Sequence, residues 1–196
     1  KMLVDEIRNC PDTVQNYRVI SIFFGGGTPS LLTGEQIGRL MDTVREIFTL
    51  DEDAEITMEM NPGTVTEEKL RKYRQAGVNR LSIGLQSVND EELRLLGRIH
   101  TYEEFLEAYH LARANGFSNI NVDLISAIPG QTVESWRRTL EQVMALSPEH
   151  ISAYSLILEE GTTFYKKYVE DEAKEGPKLP DEDAEREMYH RTREFL

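Results

Sequence analysis

Apolar, β-branched runs alternate with stretches of helical periodicity along this chain, and that alternation limits its fold more than any other feature. "VISIFF" (19–24) ends on glycine, as a buried strand does. Thr33 then opens "TGEQ", a capping-box pattern with Gln36, and Ile37, Leu40, Met41, Val44, Ile47 and Phe48 follow at helical spacing. "AEITMEM" (54–60) predicts a second strand that stops at the turn-forming Asn61-Pro62-Gly63. Thr66 caps a helix carrying Leu70, Tyr73 and Ala76, and Gly77 ends it. "RLSIGLQS" (80–87) is the third strand. Asn89 starts a short helix through Leu96, and Thr101 with Glu104 boxes another that ends at Gly116. "NINVDLISAIPG" (119–130) gives a fourth strand. "TVESWRRTLEQVMAL" (132–146) gives a helix with Val133, Trp136, Leu140, Val143 and Met144 inward, and "HISAYSLIL" (150–158) a fifth strand. Residues 168–180 read as a solvated loop, and 181–196 as a terminal helix with Ala184, Met188 and Phe195 on one face.

Repeated strand–helix units imply parallel strands joined by right-handed crossovers. The class is therefore α/β, as a barrel or as a doubly wound open sheet. A length of 196 residues suits one sizeable core. The net charge of −13 argues against nucleic acid or an anionic membrane as partner. No apolar run is long enough for a membrane span. A lone cysteine, Cys10, precludes an internal disulfide and suits a reducing cytoplasm.

In parallel α/β proteins ligands gather at the C-terminal strand ends. There this sequence places Gly25, Gly26, Gly27 and Thr28 after strand one, Glu59 and Asn61 at strand two, Gln86 at strand three and Asp123 in strand four. Singly, each has a bland reading: a turn, a solvent-facing acid, a core amide, a structural acceptor. Arg98 in "LGRIH" would by itself be a surface arginine or a helix C-terminal charge. Their recurrence at one end of consecutive strands is what points to a site. Gly25–Ser30 fails the dinucleotide fingerprint, because its sixth position is serine, and it lacks the lysine of a P-loop. Bare glycine backbone suits a small zwitterion instead, offering carbonyls to an ammonium and N–H groups to a carboxylate.

"IFFGGGTPSLL", "EITMEMNPGT", "AGVNRLSIGLQS", "LGRIHTYEE", "NINVDLISAIPGQT" and "HISAYSLILEEGT" together resemble the radical S-adenosylmethionine proteins of the oxygen-independent coproporphyrinogen III oxidase family. "LGRIH" and "PGQT" look more like its HemW, heme-chaperone-like branch than its HemN oxidase branch. The resemblance implies a partial (β/α)6 barrel of five parallel strands with outer helices, residues 1–196 forming a single incomplete barrel domain. It also implies an S-adenosylmethionine site. Gly26, Gly27 and Thr28 match the backbone site for the methionyl amino group, and Glu59 the acidic contact. Gln86, Arg98 and Asp123 match the polar ligands of ribose and carboxylate, and adenine would lie against positions such as Ile125 or Ile157.

One departure stands out. The family holds a 4Fe–4S cluster on a C-x-x-x-C-x-x-C motif that this sequence lacks. The expectation is a central piece of a family protein, inactive alone, whose full-length form handles porphyrinogen or heme. Three function classes stay open: radical decarboxylation of a porphyrinogen propionate, heme trafficking without oxidase activity, and an unrelated α/β enzyme. Without a preceding strand, "VISIFF" would have an exposed edge inviting self-association, or cover by the segment containing Met2, Leu3 and Ile7.

Overall fold

The computed structural model describes residues 2–10, 12–170 and 176–196. Among these, five strands form one sheet in the order β1-β2-β3-β4-β5. They are β1 (Arg18–Phe24), β2 (Thr49–Met60), β3 (Arg80–Gln86), β4 (Ile120–Ser126) and β5 (His150–Ser155), all parallel. Spatial order follows chain order, so every connection is a crossover. Helix α1 (Met2–Arg8) precedes β1. The crossovers carry α2 (Gly34–Ile47), α3 (Glu67–Ala76), the pair α4 (Asp90–Leu95) and α5 (Tyr102–Ala114), and α6 (Val133–Ala145). Helices α7 (Thr163–Tyr165) and α8 (Glu182–Phe195) follow β5. The chain divides into two compact units, Lys1–Gly84 with Leu106–Asn121, and Leu85–Phe105 with Val122–Leu196.

In the first unit, β1 and β2 pair in parallel from Arg18 opposite Thr49 to Phe24 opposite Met58, with a register shift between Val19 and Ser21. Strand β2 therefore begins five residues before the expected Ala54. The acidic "TLDED" carries little strand propensity, and pairing with β1 overrides it. Arg18 Nη1 donates to Asp51 Oδ2 at 3.2 Å, neutralising one of those acids. Asn79 extends β2 from the side. Its backbone N–H donates to Ile56 O, its Oδ1 accepts from Ile56 N and its Nδ2 donates to Ala54 O. Thr33 and Gln36 make the expected capping box at α2. Ile37, Met41, Leu70, Tyr73, Met58 and Leu81 are fully buried between the sheet and helices α2 and α3.

Strand β1 ends the sheet order, and Ile20 and Phe23 on it are exposed. Helix α1 does not pair with that edge. It packs on α2, where Arg8 meets Glu46 at 3.2 Å. Leu3 and Ile7 then line a groove of about 420 Å³ with Ile22, Phe23, Leu40 and Val44.

In the second unit, Trp136, Leu140, Val143 and Met188 are fully buried where α6 packs on α8. Met144, expected inward, is 39% exposed, because Val143 already takes the inward position one residue earlier. Strand β5 stops at Ser155, short of the expected Leu158. Leu156 N–H still reaches Ser126 O at 2.9 Å, and by Ile157 the side chain is exposed. Strand β4 stops at Ser126 because Ala127 adopts a left-handed φ of 59°. At Gly130 (φ 79°) a Cβ would lie 2.9 Å from Pro177 Cβ, and Gly130 N–H donates to Lys178 O at 2.7 Å, so this turn admits only glycine. The expected solvated loop from 168 begins with structure: Lys166–Glu170 forms a π-turn that buries Tyr168 against the Phe164 ring, centroids 5.3 Å apart. Residues 171–175 of that expected loop lie outside the described residues.

Candidate ligand site at the strand ends

At the end of β1 the three glycines divide their roles. A Cβ on Gly25 would strike the Phe23 ring at 2.6 Å and approach Glu59 Cδ at 3.3 Å, so a side chain there would displace the exposed Phe23 ring. Gly26 and Gly27 have φ of 78° and 68°, and a Cβ on either would meet nothing within 4 Å. Their left-handed backbone faces open space, where a ligand can approach it closely. Gly26 N–H donates to Glu59 Oε2 at 3.2 Å, which joins two of the expected site residues directly. Thr28 Oγ1 accepts from Asn61 Nδ2 at 3.4 Å.

A polar network ties the segment after this loop to the end of β2 and to α3. Ser30 Oγ accepts from Asn61 N at 3.1 Å and lies 2.6 Å from Thr64 Oγ1, which in turn donates to Asn61 O at 2.7 Å. Lys69 Nζ donates to Ser30 O and Thr64 O, each at 2.9 Å. The Tyr73 hydroxyl donates to Leu32 O at 2.5 Å, and burial pushes its phenol up to about 12. Asn61 was marked from sequence as a strand-end residue, while the supporting roles of Ser30, Thr64, Lys69 and Tyr73 were missed. The "TPS" and "NPGT" turns that carry them were the available signal.

In the second unit, Gln86 ends β3 with a φ of 69° and is 3% exposed. Its Oε1 has no hydrogen-bond partner. Left-handed backbone at a non-glycine residue costs on the order of 1–3 kcal/mol, and a buried orphan acceptor costs about as much again. Such costs gather where a ligand is to be received. Asp123 is half-buried within β4, and Arg98, also half-buried, follows α4, its N–H donating to Leu93 O at 2.9 Å. The structure thus joins Gly26 with Glu59 directly, while Gln86, Arg98 and Asp123 belong to the other unit.

Sequence reasoning also missed Glu92. It stands in an acidic, helix-opening run, yet it is 4% exposed. Its Oε2 accepts from Ser87 Oγ at 2.5 Å and Gln131 Nε2 at 2.9 Å, and its Oε1 accepts from Ser135 Oγ.

His100 is buried, with Nε2 3.3 Å from Leu85 O, which makes Nε2–H the donor in the neutral ring. Burial lowers its pKa first, the hydrogen bond to Leu85 O opposes this, and the nearby Arg98 charge lowers it further. A histidine with a depressed folded pKa binds its proton better when unfolded, so stability is full above about 6.5 and declines as pH falls below it. Unfolding of the second unit by urea at pH 7.5 and pH 5 is expected to show this loss, and His100→Gln to flatten it. An unchanged pH slope in the variant would contradict the assignment.

The donor set is, in the first unit, bare glycine backbone beside the Glu59 carboxylate and, in the second, the Gln86 amide, the Asp123 carboxylate and the Arg98 guanidinium. It does not fit an iron–sulfur cluster. Cys10 follows α1 with its Sγ 3.7 Å from Glu6 O, and no group of three or more His, Cys, Asp or Glu among the described residues could hold a metal ion. No helix among the described residues is long and apolar enough to cross a membrane.

Comparison with known proteins places the chain in a family. The family model of the radical SAM superfamily matches residues 1–143. The heme chaperone HemW of Escherichia coli K12 is 41% identical over 194 residues, covering 99% of this chain and 49% of that protein. HemW of Haemophilus influenzae is 39% identical over 191 residues, covering 97% and 48%. The solved structure of coproporphyrinogen III oxidase HemN from Escherichia coli, a radical SAM enzyme, superposes with a TM-score of 0.86 at 33% identity, covering 99% of this chain and 44% of that one. The chain spans about half the length of the curated relatives it matches.

Proposed function

Since the chain belongs to the radical SAM superfamily and to its HemN/HemW family, we propose that its strand-end residues bind S-adenosylmethionine. Gly26, Gly27 and Thr28 receive the methionyl amino group through backbone and hydroxyl oxygens, beside the Glu59 carboxylate. Arg98 pairs with the methionyl carboxylate in bidentate fashion. Gln86 and Asp123 accept from the ribose hydroxyls. The observation that carries this reading is the buried Gln86 Oε1 without a partner, an acceptor set at a strained strand end. Bound there, S-adenosylmethionine would supply radical chemistry only with a cluster whose ligands lie outside this donor set. These 196 residues supply the binding and orientation of that cofactor.

The protein to which this region contributes acts on tetrapyrroles in the cytoplasm, with porphyrinogen or heme as its partner. The heme-chaperone reading ranks ahead of the oxidase reading because the HemW relatives reach 39–41% identity, against 33% for the HemN structure.

Calorimetric titration with S-adenosylmethionine tests the site. Without a cluster to hold the methionyl group, a Kd on the order of 1 mM is expected, about −4 kcal/mol of binding. Gly27→Val should abolish detectable heat while lowering stability by only about 1–2 kcal/mol, the cost of left-handed backbone at a side-chain-bearing residue. Equal affinity in wild type and Gly27→Val would remove the glycine loop from the site.

A further inference from the structure

Glu92 is a buried carboxylate to which the cofactor reading assigns nothing. Its three donors, Ser87, Gln131 and Ser135, are all uncharged. A carboxylate buried without a cation is kept only where its hydrogen bonds are worth the desolvation.

What these donors hold is specific. Ser87 is fully buried and has both its hydroxyl roles used, donating to Glu92 and accepting from Asn89 N–H at 3.0 Å. It directly follows Gln86. Gln131 donates to Glu92 while its Oε1 accepts from Ile128 N–H at 3.4 Å, and Ile128 directly follows Ala127. Gln86 and Ala127 are the left-handed residues at the ends of β3 and β4. One acid therefore anchors the residue next to each of the two strained strand ends. Strained backbone of this kind persists only where its surroundings over-determine it.

We infer that Glu92 is a positioning residue: through Ser87 and Gln131 it fixes the turns that set the Gln86 amide for the cofactor, without touching the cofactor itself. This rests on the S-adenosylmethionine reading of Gln86. Three donors converge on two oxygens, so both oxygens must accept. Glu92→Gln keeps the size of the side chain but removes its charge, so Ser87 and Gln131 lose a charged acceptor and the Ser135 hydroxyl must turn from donating to accepting.

The test is a double-mutant cycle on S-adenosylmethionine affinity with Glu92→Gln, Gln86→Ala and the double variant. Glu92→Gln is expected to weaken binding about tenfold, the value of a hydrogen bond to a charged group. In the Gln86→Ala background the same change should cost nothing further. Additive losses would overturn the inference and leave Glu92 as a general stabiliser. A second readout needs no ligand: the side-chain amide signals of Gln86 in a nitrogen-15 spectrum. These should be a single sharp pair in wild type, and shifted or doubled in Glu92→Gln. Unchanged signals would likewise overturn the inference. Should wild type bind no cofactor, the S-adenosylmethionine reading falls, and the Gln86 signals still decide whether Glu92 positions that residue. If Glu92→Gln does not fold, Ser135→Ala removes one donor with the carboxylate intact, and the same two readouts apply with smaller changes in the same direction.

Discussion

Anaerobic reconstitution of the 196-residue chain with iron and sulfide is expected to leave it colourless, and reduction in the presence of S-adenosylmethionine to release no 5′-deoxyadenosine. The argument rests on ligands. Iron–sulfur clusters of this type are held by cysteine thiolates, and the sequence contains one cysteine. Its histidines do not substitute. His100 is buried with its Nε2 on Leu85 O, and among the described residues no group of three or more His, Cys, Asp or Glu could hold a metal ion. Without a cluster no electron reaches the sulfonium. A brown protein that yields 5′-deoxyadenosine above a no-protein control would overturn the prediction.

Trp136→Ala is expected to destabilise the second unit by about 3–5 kcal/mol, in the range of large-to-small changes in a packed core. Trp136 is fully buried, and its indole N–H donates to Thr192 Oγ1 at 2.9 Å and to Met188 O at 3.2 Å. Both acceptors lie on α8, whose Met188 is the only residue of that helix to be fully enclosed. The indole thus fills the α6–α8 contact and also bonds across it. Urea unfolding should report the loss. Hydrogen exchange should show amides of Glu182–Phe195 losing protection before those of α6. Trp136→Phe retains most of the apolar volume and should cost less, roughly 1–2 kcal/mol beyond its lost bulk for the broken hydrogen bond. A Trp136→Ala protein as stable as wild type would mean that α8 is held by something else.

The alternation of strands and helices was legible because each crossover helix carries its own caps and apolar stripe. Thr33, Thr66, Thr132 and Asp181 all accept the backbone N–H expected of an N-cap. The first half of β2 was not legible. Its register with β1 is a long-range pairing, and "TLDED" has no local strand signature. The ends of β4 and β5 were read too long, since "AIPG" and "LIL" are apolar but leave the sheet after a left-handed turn or a last shared hydrogen bond. For the site, residue type and strand-end position located the glycine loop and Glu59, which the structure joins through Gly26 N–H. Glu92 was hidden because an acid in the first turn of a helix is ordinarily a solvated dipole partner. Only the fold brings Gln131 and Ser135, some forty residues away in the chain, onto its carboxylate.

A nitrogen-15 spectrum of the chain titrated with S-adenosylmethionine would decide whether the strand ends are the cofactor site. The backbone amides of Gly26, Gly27, Thr28, Glu59, Gln86 and Asp123 should move together along one binding curve, with the Gln86 side-chain amide among the largest shifts. The amides of Leu3, Ile7, Leu40 and Val44, on the helical side of the groove that Gly26 and Thr28 also line, should stay in place. Shifts confined to Leu3, Ile7, Leu40 and Val44, or no shifts at millimolar cofactor, would contradict the assignment.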